Sequence, residues 1–408
     1  MDADLVVIGA GALGLSTALH AALLGQSVVV LERSTAGSQA SGRAAGLFKS
    51  VQADELRTTL ARRSIDLARS FADWAGAELA VSQSGSYLIA RTDEHKAFLR
   101  TEGRQSTGWG VDVRTADPAE LGERLSYFRG DGRELALWCP EDVYVDEPLS
   151  LVTALAAAGR RHGVTLLEHE AVTSIRRSGG RVTGVATAGR AISAAAVVDA
   201  AGAWTRQVAE LAGTEVALAP VRHQLLITEP SPDVDPSAPI TRVVDAAVYL
   251  RPARGGLMVG GFEAAPLPLD PRQKAASFTT DDVPLDMAVL RELAGRVAAE
   301  VPVAASEAAA HRGGLFTMTP DGRFVAGPVP DVPGLWVASG CNGSGFSSSL
   351  AIGEALAAWI CGRPDRLDLS ALAPARFGSL TDEALISSGR WQYAHYYDPA
   401  QTEPAGRT

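Results

Sequence analysis

Three glycines near the start of the chain have the spacing that suits a nucleotide phosphate. They follow an apolar run, 5–8, and precede a segment with helical spacing, 15–24. In this pattern the first glycine permits a tight turn, the second lets the backbone approach a pyrophosphate, and the third lets helix and strand pack closely. The unpaired N–H groups at the start of the helix would face the phosphates. The predicted contact residues are Gly9, Gly11, Ala12, Leu13 and Gly14.

An acidic residue completes this unit. A second apolar strand, 27–31, ends at Glu32, 18 residues beyond Gly14, and Arg33 follows. A carboxylate at this position can accept hydrogen bonds from the ribose hydroxyls of an adenosine. Because strand, turn, helix and second strand occur in the required order, the pattern favours a dinucleotide site, to which Glu32 and Arg33 contribute. A glycine-rich turn without a ligand is the alternative.

Two further segments of small residues could offer backbone to a flat part of the same ligand. The first is 38–46, and the second follows a buried strand, 195–199. Ligands of open α/β sheets bind at the carboxyl ends of the strands, where this second segment would lie. The predicted contacts, with Val172 from a hairpin-like stretch, are Ser41, Gly42, Arg43, Ala44, Ala45, Gly46, Val172, Ala200, Ala201, Gly202 and Trp204.

A third glycine-rich loop lies near the carboxyl end. The strand 335–338 breaks into the loop 339–346, and a helix is predicted from about Ser347 to Cys361. A helix that begins beside such a loop provides a second place that favours negative charge, which a reduced flavin ring needs and a nicotinamide does not. Two glycine-rich helix starts of this kind favour FAD. The alternative is that the loop 339–346 is a glycine-rich connection between strand and helix that binds no ligand. The predicted contacts are Gly340, Asn342, Gly343, Ser344, Gly345, Phe346 and Ser347.

The composition excludes several classes of protein. The chain has 408 residues, of which 46% are hydrophobic, so it can form two or three domains with buried cores. A net charge of −10 without a long basic run argues against nucleic-acid binding. No window reaches about 18 uninterrupted apolar residues, so we expect no membrane span. Three cysteines at unrelated spacings and a start without a basic, apolar leader predict no metal site and a cytoplasmic location.

These motifs together resemble the D-amino acid oxidase superfamily of FAD-dependent oxidoreductases. The resemblance rests on the Gly9–Gly14 motif, the Ser41–Arg43 segment, the stretch 198–204, the turn Thr319–Gly322 and the loop 340–346, in matching order along nearly the whole chain. Within the superfamily the chain looks most like the branch of sarcosine oxidase, glycine oxidase, and dimethylglycine and sarcosine dehydrogenases.

The resemblance implies an α/β fold, α+β overall, with two interleaved domains. A Rossmann-type FAD-binding domain would be formed by 1–78, 146–215 and 319–380. A substrate domain built on a large mixed β-sheet would be formed by 79–145 and 216–318. We expect short strands and turns in 79–137, and strands with proline-rich turns between them in 216–318. The aromatic-rich residues 381–408 would form a C-terminal tail that packs against the body or against another subunit.

The chain departs from the family at the positions that tether flavin covalently. Some relatives use a histidine near the Ser41–Arg43 segment or a cysteine just before the Thr-Pro-Asp motif. Here no histidine lies between His20 and His95, and the cysteine position is Gly314, which would lie beside the flavin. Cys341 is a weaker candidate for a tether, because free cysteines are usually buried as small apolar groups. We therefore expect noncovalent FAD.

The resemblance also indicates candidates for substrate binding and catalysis. A cation that binds the substrate carboxylate falls at Lys49, whereas a second family lysine falls at Ser347 and the lysine that assists oxygen falls at Met258. Tyr249 matches a tyrosine that faces substrate. His223 and Arg312, on strands of the substrate domain, are further candidates. A solvated charge for Lys49 and core positions for the others are the alternatives.

The function implied is FAD-dependent oxidation of the C–N bond of an amino acid or N-substituted (secondary) amine. Hydride transfer to flavin would give an imine, which is then hydrolysed. The partners would be a small amine and oxygen or another electron acceptor. The alternatives are a flavin-binding subunit of a larger dehydrogenase complex without independent turnover, and an NAD(P)-linked dehydrogenase. The substrate, the acceptor and the oligomeric state stay open at this stage.

Overall fold

The computed structural model describes residues 2–363 and 367–399. In that part of the chain the strands are β1 (Ala3–Ile8), β2 (Val28–Leu31), β3 (Leu47–Phe48), β4 (Ser86–Ala90), β5 (Arg114–Thr115), β6 (Leu135–Cys139), β7 (Val143–Tyr144), β8 (Thr165–Leu167), β9 (Val172–Ser178), β10 (Arg181–Thr187), β11 (Ala191–Asp199), β12 (Ala219–Thr228), β13 (Ile240–Val243), β14 (Val248–Ala253), β15 (Gly256–Gly261), β16 (Ala308–Met318), β17 (Val325–Pro328) and β18 (Leu335–Ser339). The helices are α1 (Ala12–Leu23), α2 (Glu55–Arg69), α3 (Phe71–Ala75), α4 (Asp93–Gly108), α5 (Pro118–Arg124), α6 (Leu149–Arg161), α7 (Thr205–Leu211), α8 (Met287–Gly295), α9 (Gly345–Ile360) and α10 (Asp382–Ala394).

The first sheet has a parallel centre that is covered on both faces. Its strand order is β17-β18-β11-β1-β2-β8, with β10 and β9 added beside β11. Strands β18, β11, β1, β2 and β8 run parallel. Their nearly continuous apolar runs are typical of strands buried on both faces. The helices α1, α6 and α9 contribute to the core on one face, so the predicted Rossmann-type architecture is confirmed.

The second sheet is large and mixed, as predicted. Its order is β16-β12-β15-β14-β13-β4-β6-β5. Strands β13 and β4 are parallel, and the other neighbours are antiparallel. One face packs on a core that includes residues of α5 and α8. The strands of this sheet all lie within 79–145 and 216–318, while the strands of the first sheet lie in the other three segments.

Close packing of helices on the first sheet requires glycine at two positions. A Cβ at Gly14 of α1 would lie 2.1 Å from the carbonyl oxygen of Gly9, and a Cβ at Gly353 of α9 would lie 2.2 Å from the Ser16 hydroxyl. Either contact is too short for carbon. The third glycine of the first motif therefore serves helix packing, as the sequence pattern predicts.

The expectation of strands and turns alone misses α8 within 216–318, and it is wrong across 79–137. This segment contains α4, with 16 residues, and α5. Helix α4 buries only Leu99, Gly103 and Ser106, so its apolar periodicity is too weak to predict a helix. Its N-terminus is nevertheless marked in the sequence, because the Thr92 hydroxyl accepts a hydrogen bond from the backbone N–H of His95.

The carboxyl-terminal part differs from the expectation in two details. Helix α9 begins at Gly345, two residues earlier than predicted. The tail contains α10, whereas its residues 400–408 lie outside the described part of the chain.

Among residues 2–363 and 367–399, no helix combines the length and apolar character that crossing a membrane requires. The same residues contain no metal-binding group of three or more His, Cys, Asp or Glu side chains.

Candidate functional site

A cavity of about 500 Å³ lies where the two sheets meet. Its wall includes the carboxyl ends of β1 and β2 and the segment that follows β11. Strands β12, β14 and β16 of the second sheet provide the opposite face. Ligands of open α/β sheets bind at this edge, and the volume lies in the range of small-molecule and cofactor sites.

The first glycine motif forms one end of this cavity. Gly9, Gly11, Ala12 and Leu13 line it, and Gly14 does not. A Cβ at Gly11 would approach only the Ser41 hydroxyl, at 3.1 Å. The missing side chain at Gly11 therefore leaves space free in the cavity and is not needed for packing within the protein. Gly11 immediately precedes α1 and has no side chain that could cap it. Ser41 Oγ, from another segment, accepts a hydrogen bond from the Ala12 N–H at 3.0 Å.

Glu32 and Arg33 lie at the end of β2 and line the cavity. The Glu32 carboxylate accepts hydrogen bonds from the backbone N–H groups of Ala10, at 3.0 Å, and Ser34, at 2.8 Å. These two bonds fix its orientation and leave lone pairs for further donors. The Arg33 guanidinium lies 4.0 Å from the ring centroid of Trp204, which also lines the cavity.

The segment 40–46 turns along the cavity wall. Ser41, Arg43, Ala44, Ala45 and Gly46 line the cavity, whereas Gly42 faces Gly37, whose carbonyl oxygen would lie 2.4 Å from a Cβ at Gly42. The cavity is also lined by every other residue predicted to contact the ligand from the segments before and after β11 and from β16. These are Val172, Ala200, Ala201, Gly202, Trp204 and Gly314. Their contacts with a cofactor stay predictions.

The third glycine-rich loop contributes four of its predicted residues to the cavity wall. These are Gly343, Gly345, Phe346 and Ser347. The others, Gly340, Asn342 and Ser344, do not line this cavity. The Asn342 side chain accepts a hydrogen bond from the Thr319 N–H and donates one to the Gly340 carbonyl. It thus fixes the loop rather than the ligand, and α9 begins at the cavity without a side-chain cap.

The candidate residues of the second sheet share one face. The register pairs His223 with Gly314 and Leu225 with Arg312. Residues two apart on a strand point to the same side, and all four line the cavity. Tyr249 reaches this group from β14, because its ring lies across β15 at Gly260, where a Cβ would be 2.2 Å from the tyrosine oxygen.

His223 bridges two tyrosines. Its Nε2 lies 2.8 Å from the Tyr249 hydroxyl, and its Nδ1 lies 2.7 Å from the Tyr393 hydroxyl. The ring stacks on Phe316 at a centroid distance of 4.0 Å. Burial, and secondarily the charge of Lys49, lower the pKa of His223 to about 3. The imidazole is therefore neutral near neutral pH, with one nitrogen donating and the other accepting.

Lys49 is a buried cation, 7% exposed, at the end of β3, and it lines the cavity. Its backbone N–H donates to Ser347 Oγ at 2.9 Å, and its Nζ donates to the Tyr396 hydroxyl at 3.3 Å. Within the described residues no carboxylate lies within ion-pair distance of Nζ. A buried charge normally needs an ionic partner, which a bound carboxylate would supply.

Arg312 also lines the cavity. Met258, which falls at the position of the lysine that assists oxygen in some relatives, does not line it. Arg312 Nη1 lies 3.6 Å from Glu147, while Nε and Nη2 have no hydrogen-bond partner among the described residues. Met258 has no exposed surface and packs with Leu225, Ile227 and Ala253.

Sequence reasoning missed several residues of the cavity wall and one buried acid. The aromatic wall contains Phe262 and Phe316, and Tyr393 and Tyr396 of the tail pack against them. The aromatic density of the tail was a usable signal. At the end of β11, burial raises the pKa of Asp199 to about 8, and its Oδ1 accepts a hydrogen bond from the Ala201 N–H. In the sequence Asp199 belongs to the stretch 198–204 that carries the resemblance, but nothing there indicates that its carboxyl is buried.

Comparison with known proteins agrees with this architecture. Residues 4–359 match the family of FAD dependent oxidoreductases designated DAO, and the chain belongs to this family. Mitochondrial sarcosine dehydrogenase of Homo sapiens is 31% identical over an alignment of 394 residues that covers 93% of this chain and 42% of that protein. Mitochondrial dimethylglycine dehydrogenase of Rattus norvegicus is 28% identical over 93% of this chain and 45% of that protein. The chain thus spans less than half of these relatives.

Other similar proteins match the chain over nearly their whole length. Glycine oxidase of Pseudomonas aeruginosa is 28% identical over 92% of this chain and 99% of that protein. The crystal structure of L-proline dehydrogenase from P. horikoshii has a TM-score of 0.82 at 24% identity, over 92% of this chain and 98% of that chain. Glycine oxidase from Geobacillus kaustophilus has a TM-score of 0.79 at 24% identity, over 92% and 99%. These two structures show the fold.

The residues of the cavity fit FAD. Two helices begin at the cavity without a side-chain cap of their own, a carboxylate stands at the end of β2, and only open space adjoins a Cβ at Gly11 beyond Ser41. The first helix and Glu32 would hold the pyrophosphate and the adenosine ribose. The segment 40–46, Gly314 and the start of α9 would hold the flavin ring.

Proposed function

We propose that the protein oxidises the C–N bond of a carboxylate-bearing amine, with the preferred substrate an N-alkyl amino acid. The observation that carries this proposal is Lys49, a buried cation without an ion-pair partner among the described residues, in the same cavity as the dinucleotide motif. Bound FAD would accept a hydride from the carbon next to the substrate nitrogen. The resulting imine would then be hydrolysed to an aldehyde or ketone and an amine.

The protein groups orient the substrate and favour its reactive protonation state. Lys49 would bind the substrate carboxylate through a charge-assisted hydrogen bond. The cations Lys49 and Arg312 disfavour a further positive charge nearby, so they shift the substrate from ammonium to neutral amine. The neutral pair of His223 and Tyr249 can hydrogen-bond that amine and adds no charge beside Lys49. The ammonium proton would leave to solvent, because a His223 pKa of about 3 disfavours protonation of the imidazole.

The names of the relatives support this class of substrate. They include sarcosine and dimethylglycine dehydrogenases, a 4-methylaminobutanoate oxidase of Paenarthrobacter nicotinovorans and a glycine oxidase. Each of these names refers to an amino acid with a free or alkylated amine. We extend that class, and no particular member of it, to this chain.

The substrate class can be tested with the purified holoprotein and an artificial electron acceptor. We expect N-methyl amino acids to be turned over with release of formaldehyde, and the matching amines without a carboxylate to be much poorer substrates. Equal rates with and without the carboxylate would contradict the role of Lys49. Release of no aldehyde, ketone or amine from any member of the panel would contradict the proposed reaction.

We propose that FAD is bound noncovalently, because glycine occupies position 314 and no histidine side chain lies in the segment 40–46. Acid precipitation should leave the flavin in the supernatant. Flavin that remains with the precipitated protein would contradict this proposal.

We propose that Arg312 decides how well oxygen serves as acceptor. Met258 offers no charge and does not line the cavity, and Arg254 is half exposed and paired with Glu147. Arg312 lines the cavity from β16 of the second sheet, and a nearby cation favours the negative charge that oxygen takes up. Arg312→Met should slow reoxidation by air more than reoxidation by an artificial acceptor. Equal slowing would contradict this role.

We also propose a cytoplasmic location, supported by three free cysteines at positions 139, 341 and 361. Fractionation of the source cells tests it.

A further inference from the structure

A second, smaller cavity adjoins the main one at Lys49. Its volume is about 50 Å³, and Lys49 lines both cavities. The wall of the second cavity also includes Gln52, Arg57, Arg242 and Tyr396. Tyr396 comes from the C-terminal segment, beyond the residues that match the family. The cation assigned to the substrate carboxylate therefore has a phenol behind it that the family motifs do not predict.

A closed set of hydrogen bonds ties Lys49 to this phenol. Lys49 Nζ lies 3.3 Å from Tyr396 Oη, which lies 3.0 Å from Ser344 Oγ. Ser344 donates to Gln52 Oε1 at 3.4 Å, and Gln52 Nε2 donates to the Lys49 carbonyl at 2.7 Å. The ring of Tyr396 stacks on Phe262 with a centroid distance of 4.0 Å. The position of the ammonium group thus depends on the tyrosine.

We propose that Tyr396 is a positioning residue for Lys49 and that the ionisation of its phenol controls carboxylate binding in the main cavity. As a neutral phenol, Tyr396 accepts one N–H of Lys49 and leaves the positive charge for a carboxylate. As a phenolate, it forms an ion pair with Lys49 and repels the incoming carboxylate. This inference rests on the proposed function, because it assumes that Lys49 is the carboxylate-binding group.

The charges around Tyr396 favour ionisation. Lys49 and Arg57 lower the pKa of Tyr396 from its ordinary value, against the opposing effect of burial, which is the largest single influence. Arg242 lies on the sheet side of this phenol, and its charge is paired with that of Asp142. The hydrogen bond between Ser344 and Tyr396 and the one that Lys49 donates act in the same direction. The other titratable groups that face this phenol or share its cavity are Tyr249, Tyr397 and Glu102.

Carboxylate affinity should fall as the pH rises through the pKa of Tyr396. Below the pKa of Tyr396 the phenol is neutral, and carboxylate affinity is at its maximum. Above that pKa the affinity should fall by about tenfold for each pH unit, since only the neutral-phenol form binds. By reciprocity, a bound carboxylate must raise the pKa of Tyr396.

The test measures binding of acetate to the FAD-loaded protein by calorimetry across the alkaline range, with acetamide as the uncharged control. Wild type should lose acetate affinity with a midpoint below the ordinary range of tyrosine. Tyr396→Phe should bind roughly two- to tenfold more weakly at neutral pH and lose this midpoint. The matched control is Tyr397→Phe, which should keep the wild-type profile, because the Tyr397 hydroxyl has no hydrogen-bond partner in residues 2–363 and 367–399.

An alkaline loss that is unchanged in Tyr396→Phe would overturn the proposal. If that variant does not fold, the ultraviolet titration of tyrosinate in wild type decides the question. The low midpoint must move to higher pH when acetate is present, and a fixed midpoint also overturns the proposal. Neither measurement needs turnover, so failure to oxidise any amine contradicts the proposed function and leaves this result standing. Absence of acetate binding overturns the assignment of Lys49 and the inference together.

Discussion

At the scale of single residues, the site depends on ionisable groups whose charge is set by their surroundings. Lys49 is buried and donates a hydrogen bond to the Tyr396 hydroxyl, while burial keeps His223 neutral. Asp199 is held in its protonated form by the same physical cause. The sequence placed Lys49 and His223 among the candidates through a family resemblance. It could not show their charge states, which depend on groups more than one hundred residues away in the chain.

Replacement of Lys49 measures the carboxylate contact. Lys49→Met should weaken carboxylate binding by about 1.5–3 kcal/mol, the scale of a hydrogen bond to a charged group. This corresponds to a rise in Kd of roughly tenfold to 150-fold. Lys274→Met is the matched control, because that lysine is exposed. Titration with acetate gives both values, and an unchanged Kd in a folded, yellow Lys49→Met protein would return Lys49 to a structural role.

Asp199 makes folding stability depend on pH. Its pKa is about 8 in the folded protein, above its ordinary value of 3.8, so the folded state binds the proton more tightly than the unfolded state. Stability from this group is present at low pH and is lost as pH rises through about 8. Asp199→Asn keeps an acceptor for the Ala201 N–H and cannot ionise. Its Tm should exceed that of wild type by a margin that grows from about pH 5 to about pH 9. A constant difference would show that Asp199 is ionised in the folded protein.

At the scale of elements, two glycines three residues apart in one motif serve different purposes. Gly14 lets α1 lie against the turn at Gly9, and Gly11 keeps the space in front of α1 open. Sequence spacing predicted both roles, because the βαβ geometry is local and its steric demands repeat. Helix α4 escaped prediction for the opposite reason, since its polar sequence is held in place by contacts with β4 and β6 that form only in the folded protein.

The two glycine variants should therefore fail in different ways. Gly11→Val should fold, because Gly11 has an extended backbone that any residue can adopt, but it should lose FAD as the side chain occupies the phosphate space. Gly14→Ala should cost about 1–3 kcal/mol of folding free energy through overpacking. Denaturant unfolding and the flavin-to-protein absorbance ratio separate the two effects. Stoichiometric FAD in Gly11→Val would contradict the assigned phosphate site.

At the scale of the whole molecule, the site exists only where chain segments far apart in sequence meet. The first sheet provides a cofactor cavity, one face of the second sheet covers it, and the C-terminal segment supplies Tyr393 and Tyr396 behind that face. The glycine motifs that line the cavity were predictable from sequence because each joins a short strand, a turn and a helix. The aromatic density of the tail indicated that it packs against something, but its contact with Lys49 was not predictable, because no local pattern links residues near 49 with those near 396.

The measurement that tests this account most directly is anaerobic mixing of the purified yellow protein with N-methyl amino acids, with the visible flavin absorbance followed in time. The account predicts that an N-methyl amino acid bleaches the flavin, that the corresponding amine without a carboxylate does so far more slowly, and that NADH and NADPH do not. Bleaching by a nicotinamide alone, or a flavin that no amine in the panel can bleach, would contradict it.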